Sequence, residues 1–359
     1  AQTLDIEIFP NRPDLLSGET LTRAIRNFVH RQPAKPSITT TEGKITLNVE
    51  PDLAEIRPVI LGAVVRNVDY TSIGVSADEF IKSLMDHQEK LHFALGRGRK
   101  RASIGVHDLA KLAPPFTVKA VSGDTKFTPL AATEPMSIKE IMAEHPKGIE
   151  YAHLLSEFDR YPIILDAENN VLSFPPIING DHTTVTKETK DFFIDVTGWD
   201  IRACESSLML IALQLQEYGG IIETVEVTNC FGETNVYPNG SAVEHKLTIA
   251  AIQGLLGGKL TEEAISGAIN RMGGKLVACD DKFITLEMPR WRFDILHPVD
   301  LVEDIAIGHG YEDLGHDIPR SPMTAKPRSD ANLLRRVGNS MQGLGMMQIQ
   351  SLTLSLSLI

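Results

Sequence analysis

From Pro58 onward the chain alternates short β-branched runs with stretches of helical periodicity, and that alternation limits it to folds in which helices cover a sheet. PVILGAVV reads as a strand, Ala77 to Leu95 as a helix, and ASIGV and FTVKAV as further strands. YPIIL, VLSF and FFIDV continue the pattern, and a long helix runs from an Asp200 cap to a Gly219-Gly220 stop before the strand IIETVEV. One mixed α/β domain holds all of these. After Pro238 two short helices end in the glycine pairs Gly257-Gly258 and Gly273-Gly274, followed by a strand around FITLEM and a helix from Val299. Upstream, Asn11-Arg12-Pro13-Asp14 leads into a helix capped by Asp14 or Ser17, with Ala24, Ile25 and Phe28 on its buried side, and the polar stretch from Gln32 to Ser37 reads as a linker. From about Asp330 an amphipathic helix carrying Leu333, Leu334 and Val337 leads into MMQIQSLTL. The expected class is α+β and multidomain: 1–47 the end of a first domain and a linker, 48–237 the mixed α/β domain, 238–320 a smaller α+β domain, and 321–359 the start of another.

A length of 359 residues suits two or three domains. No run approaches the roughly 18 apolar residues of a membrane helix, and the first residues have no signal-peptide pattern, so a soluble, cytoplasmic protein with no membrane partner is expected. The missing initial methionine and the strand-like SLTLSLSLI at the other end suggest a piece of a longer polypeptide. Cys204, Cys230 and Cys279 form no CxxC pair and read as buried thiols. A net charge of -12 argues against indiscriminate nucleic-acid binding, so any RNA contact must be local. The compact basic run is Arg97-Gly98-Arg99-Lys100-Arg101, which as a sequence fits a solvated loop as well as a binding loop. The two GGK tripeptides lack phosphate-loop spacing and read as helix ends.

Several residues could carry chemistry. Gln88 shares the helical stripe of Phe80, Leu84, Leu91 and Leu95, which aims an amide inward, although Gln88 and Glu89 also fit a helix-surface pair. Asp195 and Thr197 share one face of an apolar strand, where a carboxylate must be hydrogen-bonded or costs several kcal/mol. VLSFPPIING puts Ser173 in a strand, an extended path through Pro175-Pro176, and Asn179-Gly180 at its end, a pattern that equally marks an ordinary turn. No Ser-His-Asp or Cys-His set or HExxH helix stands out, so covalent catalysis is not expected. Asp294 precedes a helix on which Asp300, Glu303 and Asp304 fall at i, i+3 and i+4. Such acids are relieved either by solvent and the helix dipole or by a hard cation, and the spacing alone leaves both open.

Taken together, NRPDLLS (11–17), QEKLH (88–92), NVLSFPPIING (170–180), FIDVTGW (193–199) and RWRFDILHPVDLVEDIAIGHGY (290–311) resemble, in family order, the β subunit of phenylalanyl-tRNA synthetase in its archaeal/eukaryal form. The resemblance implies an α₂β₂ ligase that joins phenylalanine to tRNA(Phe), with ATP and phenylalanine activated in the α subunit. It also implies that residues 48–237 form an editing domain that hydrolyses Tyr-tRNA(Phe), that 238–320 pack on the α subunit, and that 321–359 open a class II catalytic-like domain. By matching position, Gln88, Glu89, Arg99 and Asn179 surround the ester, Leu130 touches the terminal adenosine, and Ile164, Ser173, Asp195 and Thr197 enclose the tyrosine hydroxyl. Around His182 to Val185 the chain is one residue shorter than relatives that place an arginine near the adenosine. Asp294, Asp300, Glu303 and Asp304 match positions associated with Mg²⁺ shared with the α subunit. A non-catalytic scaffold that binds tRNA and assembles with the α subunit is the competing reading.

Overall fold

The computed structural model describes residues 5–315 and 326–350. Residues up to Leu314 form one unit and those from Gly315 a second. In the first unit, Ser17 caps α1 (Gly18–Phe28) by accepting from the Thr20 N–H at 3.1 Å. Asp14 instead forms an ion pair with Arg12 at 2.8 Å. Ile25, expected on the buried side, is exposed, while Ala24 and Phe28 are half-buried.

The large sheet has the order β3-β10-β2-β11-β1-β4-β7-β8-β9. Its strands include β1 (Thr46–Val49), β2 (Val59–Arg66), β4 (Phe116–Ser122) and β10 (Phe192–Gly198), with β3 (Ala102–Asp108) at one edge. β7 (Arg160–Leu165), β8 (Val171–Phe174) and the short β9 (Ile178–Asn179) extend it, and β11 (Ile221–Thr228) also pairs with β12 (Thr234–Tyr237). A two-residue pair, β5 (Lys126–Phe127) and β6 (Met136–Ser137), leads to α3 (Ile138–Glu144) and α4 (Pro146–Tyr151).

One face of this sheet is covered by α2 (Ala77–Ala94) and α5 (Ile201–Glu217). α2 starts at a Ser76/Glu79 capping box and buries Phe80, Leu84 and Leu91, so the apolar stripe read from the sequence is the packed one. α5 begins at Asp200, whose side chain accepts from the Ala203 N–H, and is buried almost all round. The opposite face carries a second apolar cluster around Leu47, Phe116, Phe174 and Phe193. Every residue of β3 and β10 is buried, with Ala102, Ile104 and Val106 of β3 and Phe192, Ile194 and Val196 of β10 packed under the helices and Ser103, Gly105, His107, Asp195 and Thr197 on the other face. Fully burying each such Val, Ile or Phe side chain stabilises by roughly 1.5–3 kcal/mol.

The smaller sheet is β13 (Val243–Thr248), β15 (Phe283–Met288) and β14 (Lys275–Cys279), in the order β13-β15-β14. It packs with α6 (Ile249–Leu256), α7 (Glu262–Arg271) and α8 (Pro298–His309) around Ile269, Leu286 and Ile305. Gly257 and Gly273 end their helices at positive φ, as the sequence suggested. Cys204 and Cys230 are buried, but Cys279 is only half-buried because β14 is an edge strand. In the second unit, α9 (Ala331–Gly343) is the helix expected there, with Leu333 and Leu334 exposed. The expected boundary at residue 320 and the strand pattern in SLTLSLSLI lie outside the described residues. No helix among the described residues is long and apolar enough to cross a membrane.

Candidate active site

β3 ends the large sheet, so one row of its backbone groups has no strand to pair with. α2 supplies the missing partners. His92 Nε2 accepts from the Ile104 N–H at 2.8 Å, and Gln88 Nε2 donates to the Ile104 carbonyl at 2.7 Å. The inward amide seen in the sequence thus satisfies a strand edge, and beside it opens a cavity of about 310 Å³. α2 and β3 form one wall, the segment from Ser173 through Gly180 the other, and Leu130 lies at the rim.

Of the site residues read from the sequence, Gln88, Glu89, Arg99, Leu130, Ser173, Asn179 and Asp195 all line this cavity. Ile164 and Thr197 do not. Ile164 is fully buried in the apolar cluster, opposite Ser173 in the β7–β8 register. Thr197 is buried against Arg57, whose Nε donates to its hydroxyl at 2.7 Å and whose other nitrogen donates to its carbonyl at 2.8 Å.

Charge inside the cavity is arranged in short chains. Because the Ile104 N–H occupies His92 Nε2, the ring proton sits on Nδ1, 3.4 Å from Glu89 Oε1. Arg99 donates to the same oxygen at 2.7 Å. The hydrogen bond from His92, with the Arg99 charge behind it, outweighs burial and lowers the Glu89 pKa to about 2, so Glu89 stays a carboxylate. Burial pushes His92 down from its usual value, keeping it neutral at pH 7.

Arg99, from the basic run, is buried and turned inward, whereas Arg97 and Lys100 are exposed. Its guanidinium donates to the Ile177 carbonyl at 2.9 Å, lies 4.3 Å from the Tyr151 ring centroid, and leaves Nε buried without a partner among the described residues. A buried donor without an acceptor costs about 1–3 kcal/mol, which a ligand oxygen would recover. Asn179 Oδ1 accepts from Ser173 Oγ at 3.3 Å, leaving the amide protons as donors, and the Asn179 carbonyl accepts from the Leu130 N–H at 2.9 Å.

His107 was missed in the sequence. It is fully buried on β3, 2.7 Å from Asp195 Oδ2 and 2.9 Å from Thr183 Oγ1. The available signal was the polar alternation Ser103, Gly105, His107 within an otherwise apolar strand.

A larger cavity, about 600 Å³, runs along α1 and Trp291, but its arginines are already engaged. Arg23 and Arg26 pair with Glu217, Arg12 with Asp14, and Arg271 donates to backbone carbonyls.

The four acids of the small domain divide into two pairs. Arg292 donates to Asp294 at 2.6 Å and to Asp304 at 2.9 Å, both at buried or half-buried positions. Against the cost of burial, those carboxylates hold Arg292 protonated. Asp300 Oδ2 accepts the N–H groups of Leu296 and His297 at 2.7 and 2.6 Å, starting α8, and Glu303 is exposed. Among the described residues no three acids, histidines or cysteines gather around a metal position. Arg292 stands between Asp294 and Asp304, while Asp304 Oδ2 remains buried without a hydrogen-bond partner among the described residues. Asp300 and Glu303 retain outward oxygens that a cation could use.

A tRNA synthetase B5 domain profile matches residues 245–311, and a B3/4 domain profile matches 61–214. The chain is 44% identical to the phenylalanine--tRNA ligase beta subunit of Methanosarcina acetivorans, over 98% of this chain and 63% of that protein. It is 37% identical to the subunit of the same name from Archaeoglobus fulgidus, over 98% of this chain and 63% of that one. The chain thus spans just under two thirds of the length of these curated relatives. It also superposes on the crystal structure of an N-terminal fragment of the phenylalanyl-tRNA synthetase beta-subunit from Pyrococcus horikoshii, with a TM-score of 0.79 and 33% identity over 84% of this chain and 85% of that one. With two domain profiles in the right order, this level of identity and this superposition, the chain belongs to the phenylalanine–tRNA ligase beta subunit family.

Proposed function

We propose that the cavity beside β3 hydrolyses tyrosine wrongly attached to tRNA(Phe), and that the chain supports Phe-tRNA(Phe) synthesis as the β subunit of a cytoplasmic α₂β₂ enzyme. Carrying this reading is the convergence of seven sequence-selected residues on one cavity that includes a buried, unpartnered guanidinium N–H, Arg99 Nε.

The chemistry needs no nucleophile from the protein. An aminoacyl ester is already activated, so holding a water and stabilising the oxyanion suffices. Asn179 and Arg99 offer donors at one end of the cavity. Glu89, fixed as a carboxylate by His92 and Arg99, is too weak a base to take a proton fully and serves to orient water, with Gln88 next to it. Ser173 and Asp195 supply polar partners for a phenolic hydroxyl, while Ile164 and Thr197 back that wall from the core.

Such a site solves a selection problem. An apolar synthetic pocket rejects an added hydroxyl by only about 10²-fold, whereas a site whose buried polar groups need that hydroxyl rejects its absence by about 10⁴-fold or more. ATP binding and amino-acid activation belong to the α subunit in this reading. Magnesium, where it acts near this chain, meets Asp300 and Glu303 at the partner-facing side and is completed by the α subunit. Incubating the assembled enzyme with Tyr-tRNA(Phe) and measuring released tyrosine tests the proposal. Intact aminoacylation without release leaves the chain a scaffold for tRNA and the α subunit.

A further inference from the structure

His107 is a buried titratable group that the chemistry above does not use. It faces Phe193 across the β3–β10 register, with ring centroids 6.0 Å apart, and has no exposed surface. Thr183 Oγ1 lies 3.0 Å from the Gly180 carbonyl and 2.9 Å from His107 Nδ1, so its one proton can serve either contact. The 2.7 Å contact between Nε2 and Asp195 Oδ2 needs a proton of its own. Whichever of the two groups supplies that proton, Asp195 Oδ2 is occupied.

Gly105 makes the contact possible. It pairs with Asp195 in register, and a Cβ there would lie 2.0 Å from Asp195 Oδ2 and 2.7 Å from His107 Nε2. Any side chain at this position would push the carboxyl and the ring apart.

We infer that His107 is a specificity-positioning residue of this site: it pins one oxygen of Asp195 so that only the other can meet the tyrosine hydroxyl, and through Thr183 it ties that oxygen to Gly180, next to Asn179 at the end of β9. This rests on the editing reading. A carboxyl free to rotate could satisfy both oxygens internally or through water when phenylalanine is bound, and discrimination would fall. A pinned carboxyl leaves a fixed group unpaired unless the hydroxyl arrives, and that penalty is the basis of selection. The chain from Asp195 through His107 and Thr183 to Gly180 also ties Asp195 to the segment that carries Asn179.

The test compares His107→Phe, which keeps ring volume beside Phe193 but loses both nitrogens, with His107→Gln, whose amide can still donate to Asp195. In the assembled enzyme, kcat and KM for deacylation are measured separately on Tyr-tRNA(Phe) and Phe-tRNA(Phe). His107→Phe is expected to lower the Tyr-to-Phe ratio of kcat/KM by about 10- to 100-fold, with His107→Gln recovering most of it. Thr183→Val should move the ratio the same way, by about 3- to 10-fold, and carries the test together with His107→Gln if the phenylalanine variant does not fold. An unchanged ratio in a folded His107→Phe enzyme overturns the inference, as does an equal slowing of both esters that glutamine does not relieve. A wild-type enzyme unable to deacylate Tyr-tRNA(Phe) overturns the editing reading itself, and the inference with it.

Discussion

The cavity beside β3 and the acid cluster before α8 are built from the same residue types, carboxylates against arginine and histidine, yet they do opposite things with them. In the cavity, Glu89 with Arg99 and Asp195 with His107 stand around open volume, and Arg99 Nε remains unpartnered. Near α8, Arg292 closes on Asp294 and Asp304 and Asp300 Oδ2 accepts two backbone N–H groups, although Asp304 Oδ2 is itself buried without a hydrogen-bond partner among the described residues. A charge cluster points to a binding site when its charged groups stand around open volume, and to a structural device when they close on one another.

The largest effect expected from this contrast is on stability, in the closed cluster. Arg292→Ala leaves two carboxylates at buried or half-buried positions without their counter-ion and should cost about 3–5 kcal/mol, read as a drop in Tm or denaturant midpoint. A cost under about 1 kcal/mol would place the cluster in solvent-screened surroundings and break the contrast.

The open cluster should respond in selectivity. Asp195→Ala and Ser173→Ala are expected to let the enzyme hydrolyse correct Phe-tRNA(Phe), narrowing the Tyr-to-Phe preference by about 10- to 100-fold. If tyrosine activity falls and none is gained toward phenylalanine, these residues hold the wall together rather than read the hydroxyl.

Much of this was legible beforehand, for physical reasons that differ by element. The α2 stripe and the ends of α6 and α7 follow local rules of periodicity and capping, and they stand where the sequence put them. The convergence of Gln88, Arg99, Asn179 and Asp195 on one cavity came through family resemblance, since no spacing rule links α2 to β10. The role of Arg292 was invisible because the sequence shows three acids on a helix and not the guanidinium folded back from position 292. His107 was overlooked because its partner lies on a strand 88 positions away. Ile25 was misplaced because a 3.6-residue period gives a face without saying whether anything covers it.

Smaller effects sharpen the division among the acids. Removing Asp300 uncaps α8, so Asp300→Ala with Glu303→Ala should cost the chain alone about 0.5–2 kcal/mol rather than relieve repulsion. In the assembled enzyme, Mg²⁺ should raise Tm for the wild type and not for the double variant. A Tm indifferent to Mg²⁺ in both would leave these acids as a helix start.

The smallest effect concerns pH. Glu89, with its pKa lowered to about 2, adds stability that is fully present above its ordinary range near 4.5 and is lost as the pH falls through about 2. Between pH 5 and 9 the deacylation rate should show no limb that Glu89→Gln removes. A limb in that range that disappears in Glu89→Gln would make Glu89 a titrating base.

The most direct measurement is deacylation of Tyr-tRNA(Phe) by the wild-type and Asn179→Ala enzymes, with aminoacylation of tRNA(Phe) by phenylalanine followed in the same preparations. Loss of one oxyanion donor should slow deacylation by about 10²- to 10³-fold while aminoacylation stays within about twofold. Equal deacylation by both enzymes, or a parallel loss of both activities, would contradict an ester-hydrolysing site at this cavity.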